Sequence, residues 1–181
     1  RGKPADAIGE LWAVFFDGET GRHAAAKQEF PIAGCEFDTT QFHVRIGEST
    51  LGPRRLEGGI GSGDRTFSWD LDFDGDSAPL LFLPPGLYPT RLPAAKSLVP
   101  LPLARFNGTL VIGGERVGIA DWIGSQNHNW GSRHTDRYAW GQVAGFDGHP
   151  GSFLEVATAI LKLGPVRTPP ITPLVLRHRG R

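Results

Sequence analysis

Residues 66–73, TFSWDLDF, decide the fold class because apolar and polar residues alternate along them without interruption. Successive side chains of an extended strand point to opposite faces of a sheet. The four apolar residues of this segment therefore share one face, and the serine and the two aspartates share the other. This pattern predicts a β-strand that buries one face and exposes the other.

Similar signals recur along the chain and are separated by Gly-rich turns. Gly113 and Gly114 separate two apolar runs, which predicts a β-hairpin at that point. Residues 24–28, AAAKQ, are the best candidate for a helix, of one or two turns at most. The other predicted strands are residues 10–16, 41–46, 109–112, 117–122, 138–146 and 152–163.

An antiparallel sheet with one apolar face must pack against a second sheet or close on itself. Closure into a barrel removes the sheet edges, and a barrel of about eight strands can hold one small ligand. We therefore predict an all-β, antiparallel barrel over residues 1–163, with a β-sandwich as the alternative. Prolines crowd residues 84–102 and 164–173, so neither stretch is expected to form a central strand. Residues 164–181 are interpreted as a Pro-rich linker and the start of a second barrel in a longer protein.

The composition excludes several classes of protein. Hydrophobic residues make up 39% of the chain, and 19 basic residues balance 19 acidic ones, so no net charge attracts nucleic acid. No apolar run approaches the length of about 18 residues that a transmembrane helix needs. The single cysteine, Cys35, excludes an internal disulfide and favours a reducing compartment, so a cytoplasmic location is expected.

The stretch most informative about function is residues 121–146, which we call the aromatic–polar segment. It holds three of the five tryptophans and mixes them with amides, histidines and aspartates. The wall or mouth of a ligand cavity has this composition, because rings supply contact area and a few polar atoms fix orientation. The alternative is that the rings belong to the core and that the amides cap loop backbone.

Individual residues of this segment suggest distinct roles. His128 can transfer protons near neutral pH, and Asp121 can donate a proton to an alkene if burial raises its pKa. Ring faces can stabilise a developing carbocation. The predicted catalytic residues are therefore His128 and Asp121, and the predicted ligand-binding residues are Trp122, Asn129, Trp130, Tyr138, Trp140 and Gln142.

A metal site is not predicted. Asp121, His128, His134 and His149 carry suitable ligand atoms, but the spacing of the histidines matches no standard ligand pattern. No cofactor is implied either.

The motif Asn127-His128-Asn129-Trp130-Gly131, followed by Tyr138-Ala139-Trp140-Gly141-Gln142 and Phe146, resembles the lipocalin-like superfamily of AttH-like proteins, carotenoid 1,2-hydratases and tocopherol cyclases. The likeness is concentrated in residues 105–146. It implies a calycin-type, lipocalin-like β-barrel, the first of two consecutive barrels. The sequence departs from the cyclases at residues 127–128, where those proteins have an acidic and a basic residue.

The sequence therefore predicts a barrel that binds a hydrophobic small molecule, isoprenoid-like or polyketide-like, in its cavity. The enzymatic version of this hypothesis is acid-assisted hydration or cyclisation of an alkene, by a hydratase (lyase) or a cyclase (isomerase). Two alternatives stay open: a non-catalytic lipid carrier, and a structural or interaction barrel without a ligand. The expected partners are the ligand and a second barrel of the same protein.

Overall fold

The computed structural model describes residues 6–62, 65–132, 137–163 and 165–178. These residues form antiparallel β-strands and short 3-10 turns, and they contain no α-helix. No helix among them is long and apolar enough to cross a membrane. The predicted all-β, antiparallel class is therefore confirmed, while a closed calycin barrel stays a prediction.

The chain divides into two compact units. The first unit comprises Arg1–Asp74 and Phe106–Trp122, and the second comprises Gly75–Arg105 and Ile123–Arg181. Two long strands, β9 (Ala95–Ile112) and β10 (Glu115–Gly131), contribute residues to both units.

The first unit is built from a two-stranded ribbon and an antiparallel sheet of strand order β10-β9-β7-β6-β5-β4-β3. Its other strands are β1 (Ile8–Phe16), β2 (His23–Pro31), β3 (Cys35–Phe37), β4 (Val44–Ile46), β5 (Ser49–Leu51), β6 (Arg55–Ser62) and β7 (Arg65–Asp74), with a 3-10 turn at Ile32–Gly34. The ribbon pairs β1 with β2 and packs against β4, β6 and β7.

The inward face of β7 forms much of the first unit's core, as the alternation predicts. Phe67, Leu71 and Phe73 are buried, whereas Asp70 and Asp72 on the opposite face are exposed. Ile60, Ile112 and Ile119 from neighbouring strands are also buried. The predicted Gly-Gly hairpin is present: Gly113 and Gly114 have φ of 57° and 87°, values that favour glycine.

The second unit contains a three-stranded sheet of order β11-β12-β15 and a short strand that pairs with β9. Its other strands are β8 (Leu80–Leu81), β11 (Arg137–Phe146), β12 (His149–Ile160), β13 (Lys162–Leu163), β14 (Val166–Arg167) and β15 (Leu174–Arg177), with a 3-10 turn at Pro85–Leu87. The centre of its core is Leu80, Val99 and Phe153, which are almost fully buried. The segment expected to begin a second barrel supplies β15, which pairs with β12.

Three local predictions are wrong. Residues 24–28 are part of β2 rather than a helix, because each of them pairs with a residue of the apolar strand β1. The strand expected at 41–46 begins only at Val44, since the Asp38 carboxylate accepts hydrogen bonds from the backbone N–H groups of Thr40 and Gln41 and so forms a turn.

The third wrong prediction concerns the Pro-rich stretch 84–102. Its second half lies inside β9, which contains Pro100 and the fully buried Pro102. The pairing of β9 with β8 involves only Leu98 and Val99. Neither proline belongs to this pairing, so the missing N–H groups do not interrupt it.

Candidate functional site

The most unusual group in the aromatic–polar segment's surroundings is a buried carboxylate on β12. Glu155 is 2% exposed and lies directly opposite Gln142 in the β11–β12 register. One carboxylate oxygen accepts a hydrogen bond of 2.9 Å from the Trp140 indole Nε1, and the other accepts one of 3.0 Å from the Gln142 side-chain Nε2. Two predicted ligand-binding residues are therefore joined by a residue that the sequence did not single out.

The hydrogen-bond network continues onto β10. The Gln142 Nε2 also donates to the Asn127 Oδ1 at 3.0 Å, and the Ser125 hydroxyl donates to the Gln142 Oε1 at 2.5 Å. Every polar atom of the Gln142 amide is thus engaged. We call Ser125, Asn127, Trp140, Gln142 and Glu155 the carboxylate network. All of its members lie in the second unit.

The charge of Glu155 has no counter-ion within the part of the chain that the structure describes. The ion pairs found there involve other residues. A buried carboxylate is costly unless it is paired or hydrogen-bonded, and here two neutral donors provide the hydrogen bonds. The two hydrogen bonds thus fix Glu155 and the side chains of Trp140 and Gln142 relative to one another.

Large rings lie exposed at the same end of β11. Tyr138 is 71% exposed and Trp140 is 54% exposed, although the indole nitrogen of Trp140 bonds to the buried Glu155. Alternation along β11 places Tyr138, Trp140 and Gln142 on one face. The sequence predicts these rings in the wall or mouth of a ligand cavity, and the structure places both of them at the surface of the second unit.

His128 and Trp130 form a separate group on the next part of β10. Their rings stack with centroids 4.9 Å apart, and Tyr88 stacks on Trp130 at 5.7 Å. The Tyr88 hydroxyl is fixed, because it donates to the Ser97 carbonyl oxygen at 3.0 Å and accepts from backbone N–H groups. Strand alternation places this stack on the face of β10 opposite Asn127.

The remaining predicted residues have different placements. Asn129 is exposed. Asp121 and Trp122 belong to the first unit, where Asp121 has a φ of 56° and its backbone N–H donates to the Asn107 Oδ1 at 2.9 Å. Trp122 is 47% exposed. Asp121 therefore takes up a left-handed backbone position within β10 that aspartate tolerates better than most residues.

Metal binding by the aromatic–polar segment receives no support from the described residues. His134 and Asp136 lie outside them. Among the residues that the structure does describe, no group of three or more histidine, cysteine, aspartate or glutamate side chains is arranged to hold a metal ion.

Glu155 carried one signal in the sequence. Residues 152–163 were predicted as a strand, and in that strand Phe153 and Glu155 share a face. Phe153 is fully buried, so a charged residue two positions later on the same face is also directed inward. A lone acidic residue on the buried face of a strand is therefore the pattern that would have pointed to this site.

The fold and this network define an all-β protein with exposed aromatic rings above a buried carboxylate. In comparisons with known proteins the chain is similar to two proteins of Mycobacterium tuberculosis, uncharacterized protein MT0513 of strain CDC 1551 / Oshkosh and uncharacterized protein Rv0493c of strain ATCC 25618 / H37Rv. Each is 30% identical over 96 residues, which cover 53% of this chain and 28% of the relative. The chain thus spans less than a third of the length of these curated relatives. No family model and no solved structure matches it.

Proposed function

We propose that the chain binds a hydrophobic small molecule, isoprenoid-like or polyketide-like, against Tyr138 and Trp140 in the second unit. The observation that supports this most is the carboxylate network, in which the indole N–H of the exposed Trp140 is fixed by the buried Glu155. A ring held in one orientation loses little conformational entropy when a ligand packs on it. Exposed aromatic area of this kind is what an apolar ligand covers on binding.

The proposed fold is a calycin-type, lipocalin-like barrel of the kind that the motif in residues 127–142 resembles. A second barrel in a longer protein belongs to the same proposal. In the full-length protein such a barrel would roof the exposed rings and turn an open surface into an enclosed site.

A second candidate function is acid-assisted chemistry on an alkene held against Trp140, whose indole Glu155 keeps in place. A proton donor that reaches the bound alkene would protonate one of its carbons, while the ring face of Trp140 stabilises the cation on the other. Water then adds to the cation in a hydration, or a second alkene adds in a cyclisation, and a proton returns to the donor. His128 and Asp121 are the proton-transfer residues that the sequence predicts.

Titration with retinoid and terpenoid alcohols, followed by tryptophan fluorescence, tests the binding proposal. We expect a saturable fluorescence response with a dissociation constant in the micromolar range, which corresponds to a binding free energy of about −8 kcal/mol. The affinity should be at least tenfold weaker in Trp140→Ala. Trp12→Ala is a matched control, because Trp12 is 63% exposed but lies in the first unit. Equal weakening in both variants, or no saturable response, would refute the proposal.

An assay for turnover of the bound alkene distinguishes the carrier hypothesis from the enzyme hypothesis. If the chain is catalytic, the wild-type protein should convert the bound alkene to a product that mass spectrometry detects. His128→Ala and Asp121→Asn test the two proton-transfer residues predicted from the sequence. Binding without any product in the wild-type protein would assign the carrier function.

A further inference from the structure

Two histidines lie close together at the end of the β11–β12–β15 sheet, away from the carboxylate network. His149 is the first residue of β12, and His178 directly follows β15. Their ring centroids are 5.0 Å apart and their planes are inclined by 85°. Both residues belong to the second unit.

A buried hydroxyl fixes the orientation of one of these rings. The Ser152 Oγ lies 2.7 Å from the His178 Nδ1, and Ser152 is only 3% exposed. The pairing continues the β12–β15 register by one step beyond Phe153 and Arg177. Because Nδ1 is engaged, Nε2 is the nitrogen of His178 that can bind another partner. Ser152 is too deeply buried to meet a substrate, so its role is to orient the imidazole.

The backbone that carries His178 is also held in place. The Arg177 guanidinium donates hydrogen bonds to the carbonyl oxygens of Ala78 and Pro79, the second at 3.2 Å. Strand alternation directs this cation to the face of β15 opposite His178. The positive charge of the guanidinium is therefore directed away from a metal ion bound beside the histidine.

The distance between the rings matches the geometry of zinc coordination. A zinc–nitrogen bond of about 2.0–2.1 Å places an imidazole centroid about 3.2 Å from the metal, and at a tetrahedral angle two centroids are then about 5.2 Å apart. The observed separation is 5.0 Å. The separation of the rings is therefore compatible with one ion bound by both imidazoles.

We propose that His149 and His178 form a binding site for a divalent transition-metal ion, with Zn²⁺ as the expected ion and Cu²⁺ as a tighter-binding probe. The two imidazoles supply two ligands, and water or a small anion occupies the remaining positions. Ser152 is the residue that positions His178, as hydrogen-bonded partners do for metal-binding histidines. The ion links the beginning of β12 to the end of β15.

Isothermal titration calorimetry with ZnCl₂ at pH 7.5 tests the site on the complete chain. We expect one ion per chain, and loss of this binding in His149→Ala and in His178→Gln. Ser152→Ala should weaken it about 10–100-fold, the usual effect of losing such a partner. His23→Ala, which removes an exposed histidine of the first unit, should leave the affinity unchanged.

The same site predicts a further signature. Zinc at about ten times its dissociation constant should raise the melting temperature of the wild-type chain by about 3–6 °C, and should not raise that of His149→Ala. Circular dichroism verifies that each variant is folded.

Two results would overturn the proposal. One is the absence of zinc binding by the folded wild-type chain at millimolar metal. The other is binding that persists with unchanged affinity in the His149→Ala, His178→Gln double variant, which would assign the ion to other residues.

Discussion

Replacing Trp140 by Phe removes one hydrogen-bond donor from the buried Glu155 carboxylate and keeps most of the ring. A hydrogen bond to a charged group contributes about 1.5–3 kcal/mol to stability. Trp140 is 54% exposed, so water can partly replace the lost indole N–H, and we expect the lower half of this range. For a chain of this size that loss lowers the melting temperature by about 3–8 °C.

Thermal denaturation followed by circular dichroism measures this effect, and Trp122→Phe is the matched control. Trp122 is similarly exposed, at 47%, and no hydrogen bond of its indole nitrogen is found in the described part of the chain. Its replacement should change the melting temperature by less than about 2 °C, as for an ordinary surface substitution.

A double-mutant cycle makes the comparison specific to the carboxylate. In a Glu155→Leu background the Trp140→Phe change should cost much less, because the acceptor of the hydrogen bond is gone. An equal loss of stability for Trp140→Phe in both backgrounds, or equal losses for the two tryptophan variants, would refute the assigned role of Glu155.

Three further predictions concern the fold and the pH dependence of stability. Phe153→Ala removes a side chain that is 0% exposed, and should cost about 3–5 kcal/mol in urea denaturation. Gly108→Ala should lower the melting temperature strongly, because Gly108 has a φ of +137° and an added Cβ would lie 2.1 Å from a backbone oxygen of β7, whereas Gly118→Ala has open space and should be tolerated. The hydrogen bond from the Thr40 hydroxyl lowers the pKa of Asp38 to about 2. Since the pKa is lower in the folded than in the unfolded state, this carboxylate stabilises the fold above about pH 4 and the contribution is lost as the pH falls towards 2. Acid titration of Asp38→Ala should show a smaller loss of stability over that interval.

Strands and turns were predicted correctly from the sequence where the local side-chain pattern alone determines the structure. The alternation in residues 66–73 and the Gly113–Gly114 turn are of this kind, because the burial of one face and a positive φ are local requirements. Residues 24–28 were assigned wrongly, since alanine, lysine and glutamine favour a helix in isolation. Pairing with β1 outweighs that preference, and the partner strand lies outside any local window.

The candidate site was predicted only in part. The rings of Trp140 and Tyr138 and the amide of Gln142 were identified from their density in the sequence. Their placement at the surface and their link to Glu155 depend on the pairing of β11 with β12. Alternation along β12 indicates the single inward acidic residue, but its hydrogen-bond partners on β11 become visible only when that register is known.

The most direct test of the proposed function is ¹⁹F NMR of the chain labelled with 5-fluorotryptophan, which reports on each of the five tryptophans separately during titration with a terpenoid alcohol. Binding against Tyr138 and Trp140 predicts a saturable shift of the Trp140 resonance, with the Trp12 resonance unchanged. A Trp140 signal that stays in place while the ligand saturates another site, or five signals that do not respond at all, would contradict it.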